Sequence, residues 1–145
     1  MDSATDRDPF YALTQRLKDT LGCDRCTFFL VDREKQEVWS KAAIGLEIAE
    51  IRLPTRRGVV GYVARTGRML NLKDVYNDPR FDRSVDQRTG YRTKTLLTMA
   101  IKDAAGEVVG VLQALNKAEG IFTSEDELTM KNACAEALGV IGTSS

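Results

Sequence analysis

A chain of 145 residues is the length of one ordinary domain, and it can bury roughly 70% of its unfolded surface without a metal or disulfide staple. Its 21 Lys and Arg residues balance 21 Asp and Glu, and a formal charge of zero argues against a nucleic-acid or anionic-membrane surface. The composition, 43% hydrophobic and 29% charged, is globular, so with a polar opening (MDSATDRD) and no long apolar run we expect one soluble, cytoplasmic domain over residues 1–145.

Asp8-Pro9 opens a helix expected over residues 8–22, because Asp caps and Pro suits a first turn whose N–H groups lack partners. Phe10, Leu13, Leu17 and Leu21 recur at helical spacing up to Gly22. That stripe can pack on a sheet, on a second chain, or on both. From residue 25 the period becomes two. Arg25, Thr27, Phe29 and Val31 point one way, and Cys26, Phe28 and Leu30 the other, which describes a strand covered on both faces. Asp32-Arg33-Glu34-Lys35 turns the chain, and residues 37–44 return as a second strand. Residues 46–53 show no clear pattern before Pro54.

Gly58 and Gly67 frame a short helix, and residues 69–72 form a short strand. Residues 73–94 are rich in Asp, Arg and Asn and carry Tyr76, Pro79, Phe81 and Tyr91. A compact domain seldom spends so long a stretch on a featureless loop, so we expect a lid with short helical turns. Residues 95–102 and 107–116 read as strands around the turn Asp103-Ala104-Ala105-Gly106, with Gly110 marking a bulge or a close approach. A capping box of Ser124 and Glu127 starts the last helix, residues 124–142, with Leu128, Ala135, Leu138 and Ile141 among its apolar positions. The order describes an α+β fold with an antiparallel sheet.

No histidine is present, which removes Ser-His-Asp and Cys-His pairs, most catalytic zinc sites and histidine-ligated haem. Cys23 and Cys26 have CxxC spacing, but they follow a helix end rather than open a helix, and only Cys134 remains as a further thiol. Small core residues are the simpler reading, and no metal site is expected. Arg25 and Thr27, on one strand face, either contact a flat heterocycle or serve as an ordinary strand-entry cation and β-former. The start of the glycine-framed helix is a natural place for an anion.

Asn116-Lys117, then Phe122, then Asp126-Glu127 resembles the NK…Fx3DE signature of GAF domains of the cyclic-nucleotide-binding kind, found in phosphodiesterases and adenylyl cyclases. The residues around Arg25, Gly58-Val59-Val60-Gly61, Thr89-Gly90-Tyr91-Arg92-Thr93 and Gly110-Val111-Leu112-Gln113 extend the resemblance over nearly the whole chain. It implies a central antiparallel sheet with the terminal helices on one face and a ligand under the lid on the other. It further implies that Lys117 pairs with Asp126 and that Phe122 plugs the nearby core.

Carried over by the same resemblance, Arg25 and Thr27 face a purine. Val59 and Val60 offer backbone N–H groups to a cyclic phosphate, Asp86, Thr89 and Thr93 approach phosphate and ribose, and Gln113 lies beneath. Ala43 and Ile44 take the positions where some cGMP-binding members carry an aromatic-acidic pair. Neither supplies an acceptor for guanine's N1–H and N2 donors, which favours cAMP over cGMP. The implied role is a regulatory, non-enzymatic sensor with no cofactor, linked to an effector domain and paired as a homodimer through the terminal helices. A ligand-free dimerisation module is the alternative. A methionine-sulfoxide reductase on a GAF-like fold would need its cysteines gathered under the lid, and a bilin chromophore would need a lid cysteine.

Overall fold

The computed structural model describes residues 8–45 and 50–143. Of the unpatterned stretch 46–53, residues 46–49 therefore lie outside the described residues, as do the opening residues 1–7. Helix α1 (Pro9–Leu21) starts where the Asp8 carboxylate accepts the Phe10 N–H at 2.9 Å. It stops where Gly22, at φ 64°, turns its N–H back to the Lys18 carbonyl. The chain continues through β1 (Cys23–Asp32), β2 (Glu37–Ile44), β3 (Arg52–Pro54), α2 (Gly58–Thr66) and β4 (Leu70–Leu72). A 3-10 turn (Val75–Asn77) and α3 (Ser84–Thr89) give the lid its short helical turns. Then come β5 (Leu96–Lys102), β6 (Val108–Lys117) and α4 (Ser124–Thr143).

The six strands form one sheet in the order β3-β2-β1-β6-β5-β4, with every neighbouring pair antiparallel. The alternation along β1 separates two cores. Cys26, Phe28 and Leu30 face the terminal helices, where they meet Phe10, Leu13, Leu17, Met130 and Ala137. Phe29 and Val31 face α2 and the lid, alongside Val59, Val60, Val63, Val75 and Phe81. The α1 stripe is consumed inside its own chain: Phe10, Leu13, Leu17 and Leu21 are all buried, and Phe10 meets Phe28 edge-on with centroids 5.0 Å apart. Gly110 marks a close approach, since a Cβ there would stand 2.9 Å from the Phe29 carbonyl oxygen.

One expectation for α4 is corrected. The capping box sits one residue earlier: Thr123 N–H donates to Asp126 at 2.8 Å, and Asp126 N–H donates to the Thr123 hydroxyl at 3.2 Å. Glu127 is thereby freed from capping and accepts from the Asn71 amide at 2.7 Å, tying α4 to β4. Of the apolar positions, Leu138 and Ile141 pack against the helix-side core, but the other two do not. Leu128 is 59% exposed and Ala135 faces solvent, while Met130, Cys134 and Ala137 are buried.

Candidate functional site

Between the sheet, α2 and the lid lies a cavity that opens to solvent at its mouth. Its floor comes from Arg25, Thr27 and Phe29 of β1 and Gln113 and Leu115 of β6. Thr27, Gln113 and Thr98 are successive ladder partners, a polar row across the sheet whose Thr27 and Gln113 lie in the floor, set in apolar surroundings. The Gln113 amide donates to the Thr98 hydroxyl at 3.1 Å, which fixes the amide across the sheet. Ile51 and Leu53 form an apolar side wall.

One end of the cavity is the start of α2, with Arg57, Gly58, Val59 and Val60 in its lining. Gly58, at φ 79°, lets the backbone enter the helix in a conformation that a side chain resists. The N-cap residue Arg57 makes no side-chain capping bond. First-turn N–H groups have no acceptor within a helix, so this end of the cavity has the dipole character that suits an anion. The helix is pressed close to the preceding chain: a Cβ on Gly61 would stand 2.7 Å from the Thr55 carbonyl oxygen.

The lid supplies Phe81, Asp82, Asp86 and Thr93. Asp86 is buried and accepts from the Tyr76 hydroxyl at 2.7 Å, the Thr93 N–H at 2.8 Å and the Thr93 hydroxyl at 2.9 Å. Its charge-assisted bonds close the lid on itself, and the bond to Asp86 raises the Tyr76 phenol above its ordinary pKa. Tyr91 latches the lid to the sheet. Its ring lies 3.4 Å from the Arg25 guanidinium, and its hydroxyl donates to Asp24 at 3.1 Å. Burial, reinforced by Asp24, pushes the Tyr91 phenol well up, so it remains a donor at neutral pH.

Of the ten expected ligand residues, seven line the cavity and three do not. Arg25, Thr27, Val59, Val60, Asp86, Thr93 and Gln113 are brought together in the cavity lining. The Arg25 guanidinium, however, stacks on the chain's own Tyr91, so the flat partner expected of it is internal. Thr89 lies outside the lining; its hydroxyl accepts the Tyr91 N–H at 3.2 Å and shapes the end of α3. The β2 pair is corrected as well. Ile44 is the ladder partner of Cys26 and lies on the helix-covered face, because consecutive strand residues point to opposite sides. Ala43 shares the face of its partner Thr27 but does not line the cavity. Arg57, Asp82 and Phe81 were missed, although the position just before the Gly58-framed helix was a usable signal for Arg57.

Asn116 and Lys117 act on opposite sides of the same strand end. Asn116, at φ 55°, accepts the N–H groups of Lys94 and Thr95 at 2.6 and 3.2 Å and donates to the Arg92 carbonyl at 2.9 Å, pinning the end of the lid. The Lys117 ammonium donates to the Leu21 carbonyl at 2.5 Å and lies 3.0 Å from Asp126, joining the end of α1 to the start of α4. Phe122 is buried in the helix-side core beside it.

The thiols are elsewhere. Cys23, Cys26 and Cys134 are buried in the core under the terminal helices, on the far face from the lid. Burial pushes Cys23 up to about 11 and Cys134 up to about 12, with Cys26 well above its ordinary value. Such thiols are inert, which argues against reductase chemistry in this cavity. Among the described residues no group of three or more His, Cys, Asp or Glu is placed to hold a metal, and no helix is long and apolar enough to cross a membrane.

The sequence matches the GAF domain family over residues 8–141. It is 37% identical over 121 residues to the dual 3',5'-cyclic-AMP and -GMP phosphodiesterase 11A of Takifugu rubripes, a match covering 74% of this chain and 13% of that protein. It is 40% identical over 125 residues to the probable 3',5'-cyclic phosphodiesterase pde-5 of Caenorhabditis elegans, covering 78% of this chain and 17% of that protein. The chain thus corresponds to a small part of each of these relatives. Among solved structures, it resembles the GAF domain of a phosphoenolpyruvate-protein phosphotransferase from Coxiella burnetii, with a TM-score of 0.77 and 23% identity over 91% of this chain and 82% of that one. It also resembles the type II free methionine-R-sulfoxide reductase of Thermoplasma acidophilum, with a TM-score of 0.71 and 17% identity over 85% of this chain and 82% of that one, a likeness of fold alone. Because the sequence match runs from Asp8 to Ile141, and the fold goes with it, this chain belongs to the GAF domain family.

Proposed function

We propose that the chain is a regulatory module that binds a purine cyclic nucleotide under its lid, prefers cAMP to cGMP, and signals to an effector domain joined to it. The observation that carries this reading is the cavity itself: a polar row on an apolar floor, closed at one end by the start of α2 and roofed by a lid. A cyclic phosphate carries one negative charge, which N–H dipoles at the α2 start can hold without a lysine cluster, in keeping with the zero formal charge. The purine would lie over Thr27 and Gln113, and the Thr93 hydroxyl would meet the ribose or phosphate. The names of the phosphodiesterase relatives support the ligand class.

The preference for adenine follows from the acceptors at hand. Guanine presents N1–H and N2 donors that want a carboxylate. The carboxylates of the cavity lining, Asp82 and Asp86, both come from the lid, and Asp86 is already committed to Tyr76 and Thr93. Isothermal titration calorimetry with cAMP and cGMP tests the proposal. We expect binding of both with cAMP the tighter, and at a hundredfold excess over Kd a stabilisation of about 2.7 kcal/mol. No heat and no shift in melting temperature at millimolar concentrations of either nucleotide overturns it.

A further inference from the structure

The cavity lining holds four charged side chains, and two of them are already engaged. The Arg25 face is covered by Tyr91, and Asp86 accepts three hydrogen bonds. The other two, Arg57 and Asp82, meet across the junction of α2 and the lid, with Arg57 Nε 3.6 Å from Asp82 Oδ2. That distance is too long for a good hydrogen bond, and the Arg57 side chain is 63% exposed, so the contact is a weak, solvent-screened ion pair. Asp82 nonetheless has a fixed seat. Its Oδ1 accepts the Ser84 N–H at 2.9 Å, and its Cβ lies 3.4 Å from where a Cβ on Gly58 would be. A carboxylate is therefore held against the first residue of α2, at the end of the cavity suited to an anion.

We propose that Arg57 reads the ligand's negative charge, and that Asp82 is a built-in competitor for it. This rests on the reading of the cavity as a cyclic-nucleotide site. The phosphate at the start of α2 draws the Arg57 guanidinium away from Asp82, because a guanidinium binds phosphate through two parallel N–H bonds and leaves behind a contact of little strength. The exchange also releases Asp82, so the anion is sensed where α2 meets the lid.

The test is calorimetric titration of the wild-type chain, Asp82→Asn, Arg57→Gln and the double variant with cAMP, cGMP and the uncharged nucleoside adenosine. Asparagine keeps an oxygen able to accept the Ser84 N–H, so Asp82→Asn removes the charge and not the seat. We expect Asp82→Asn to tighten cyclic-nucleotide binding about three- to tenfold and Arg57→Gln to weaken it about tenfold. The double variant should match Arg57→Gln alone, as two residues sharing one interaction do. Adenosine affinity should change less than about twofold throughout. Wild-type binding of cyclic nucleotide that neither substitution alters, or equal effects on adenosine, overturns this inference and leaves the proposed function standing. Failure of the wild-type chain and every variant to bind any cyclic nucleotide overturns both.

Discussion

Asn116 occupies left-handed backbone, at φ 55°, a region where asparagine is several-fold enriched among non-glycine residues. Its amide meets three backbone groups of the lid's end, so no other side chain of that size does the same work. Asn116→Ala is expected to lower stability by about 2–4 kcal/mol in urea denaturation, since it leaves buried backbone groups without partners in strained backbone. Asp126 gives a pH signature. Burial alone would raise its carboxyl, but the Thr123 N–H and the Lys117 ammonium outweigh that and hold it below the ordinary carboxylate value. A depressed native value means its contribution is present above the unfolded value of about 3.9 and is lost as pH falls through the native one. The melting-temperature gap between wild type and Asp126→Asn should therefore shrink as pH drops from about 6 to about 2. The buried thiols make a third check: Cys23, Cys26 and Cys134 should resist a thiol reagent at about pH 8 in the folded chain and react together on unfolding.

At the scale of elements, α2 is held where it is by an absence of side chain. Gly61→Ala would place a methyl group against the Thr55 carbonyl and push α2 outward. We expect a loss of about 1–3 kcal/mol and weaker cyclic-nucleotide binding, read by thermal denaturation and calorimetry. How far such elements were legible depended on how sharply the residues alternate. Along β1 apolar side chains occupy both faces in strict period two, so residues 26, 28 and 30 fell to one core and residues 29 and 31 to the other. Along α4 small and apolar residues occur on every side, so of its apolar positions Leu138 and Ile141 pack on the core while Leu128 and Ala135 face outward. Thr123 was passed over as the cap because Ser124 with Glu127 offers the same spacing one residue later; Asn71 settles the matter by claiming Glu127. The cavity lining on β1 was legible from facing residues and Gln113 of β6 from the family resemblance, whereas the stack of Arg25 on Tyr91 joins residues too distant in sequence for any local pattern to show.

For the molecule as a whole, the two cores make α1 indispensable. Removal of residues 1–21 would uncover Phe28, Leu112 and Ala114 on the sheet, and we expect it to abolish the cooperative melting transition rather than merely to alter self-association. The path from lid to terminal helices is short. Tyr91 holds Asp24 and Arg25 at the head of β1, while Gly22, just before that strand, accepts the Ala118 N–H at 2.8 Å. Adjacent residues, Asn116 and Lys117, hold the lid's end and the start of α4. That adjacency gives α4 the mechanics of a lever with its fulcrum at Asp126. Its 20 residues extend about 30 Å at 1.5 Å per residue. From Asp126 to Thr143 the arm is about 26 Å, so a pivot of about 5° there would sweep the far end through about 2.2 Å, some four-tenths of a helical turn.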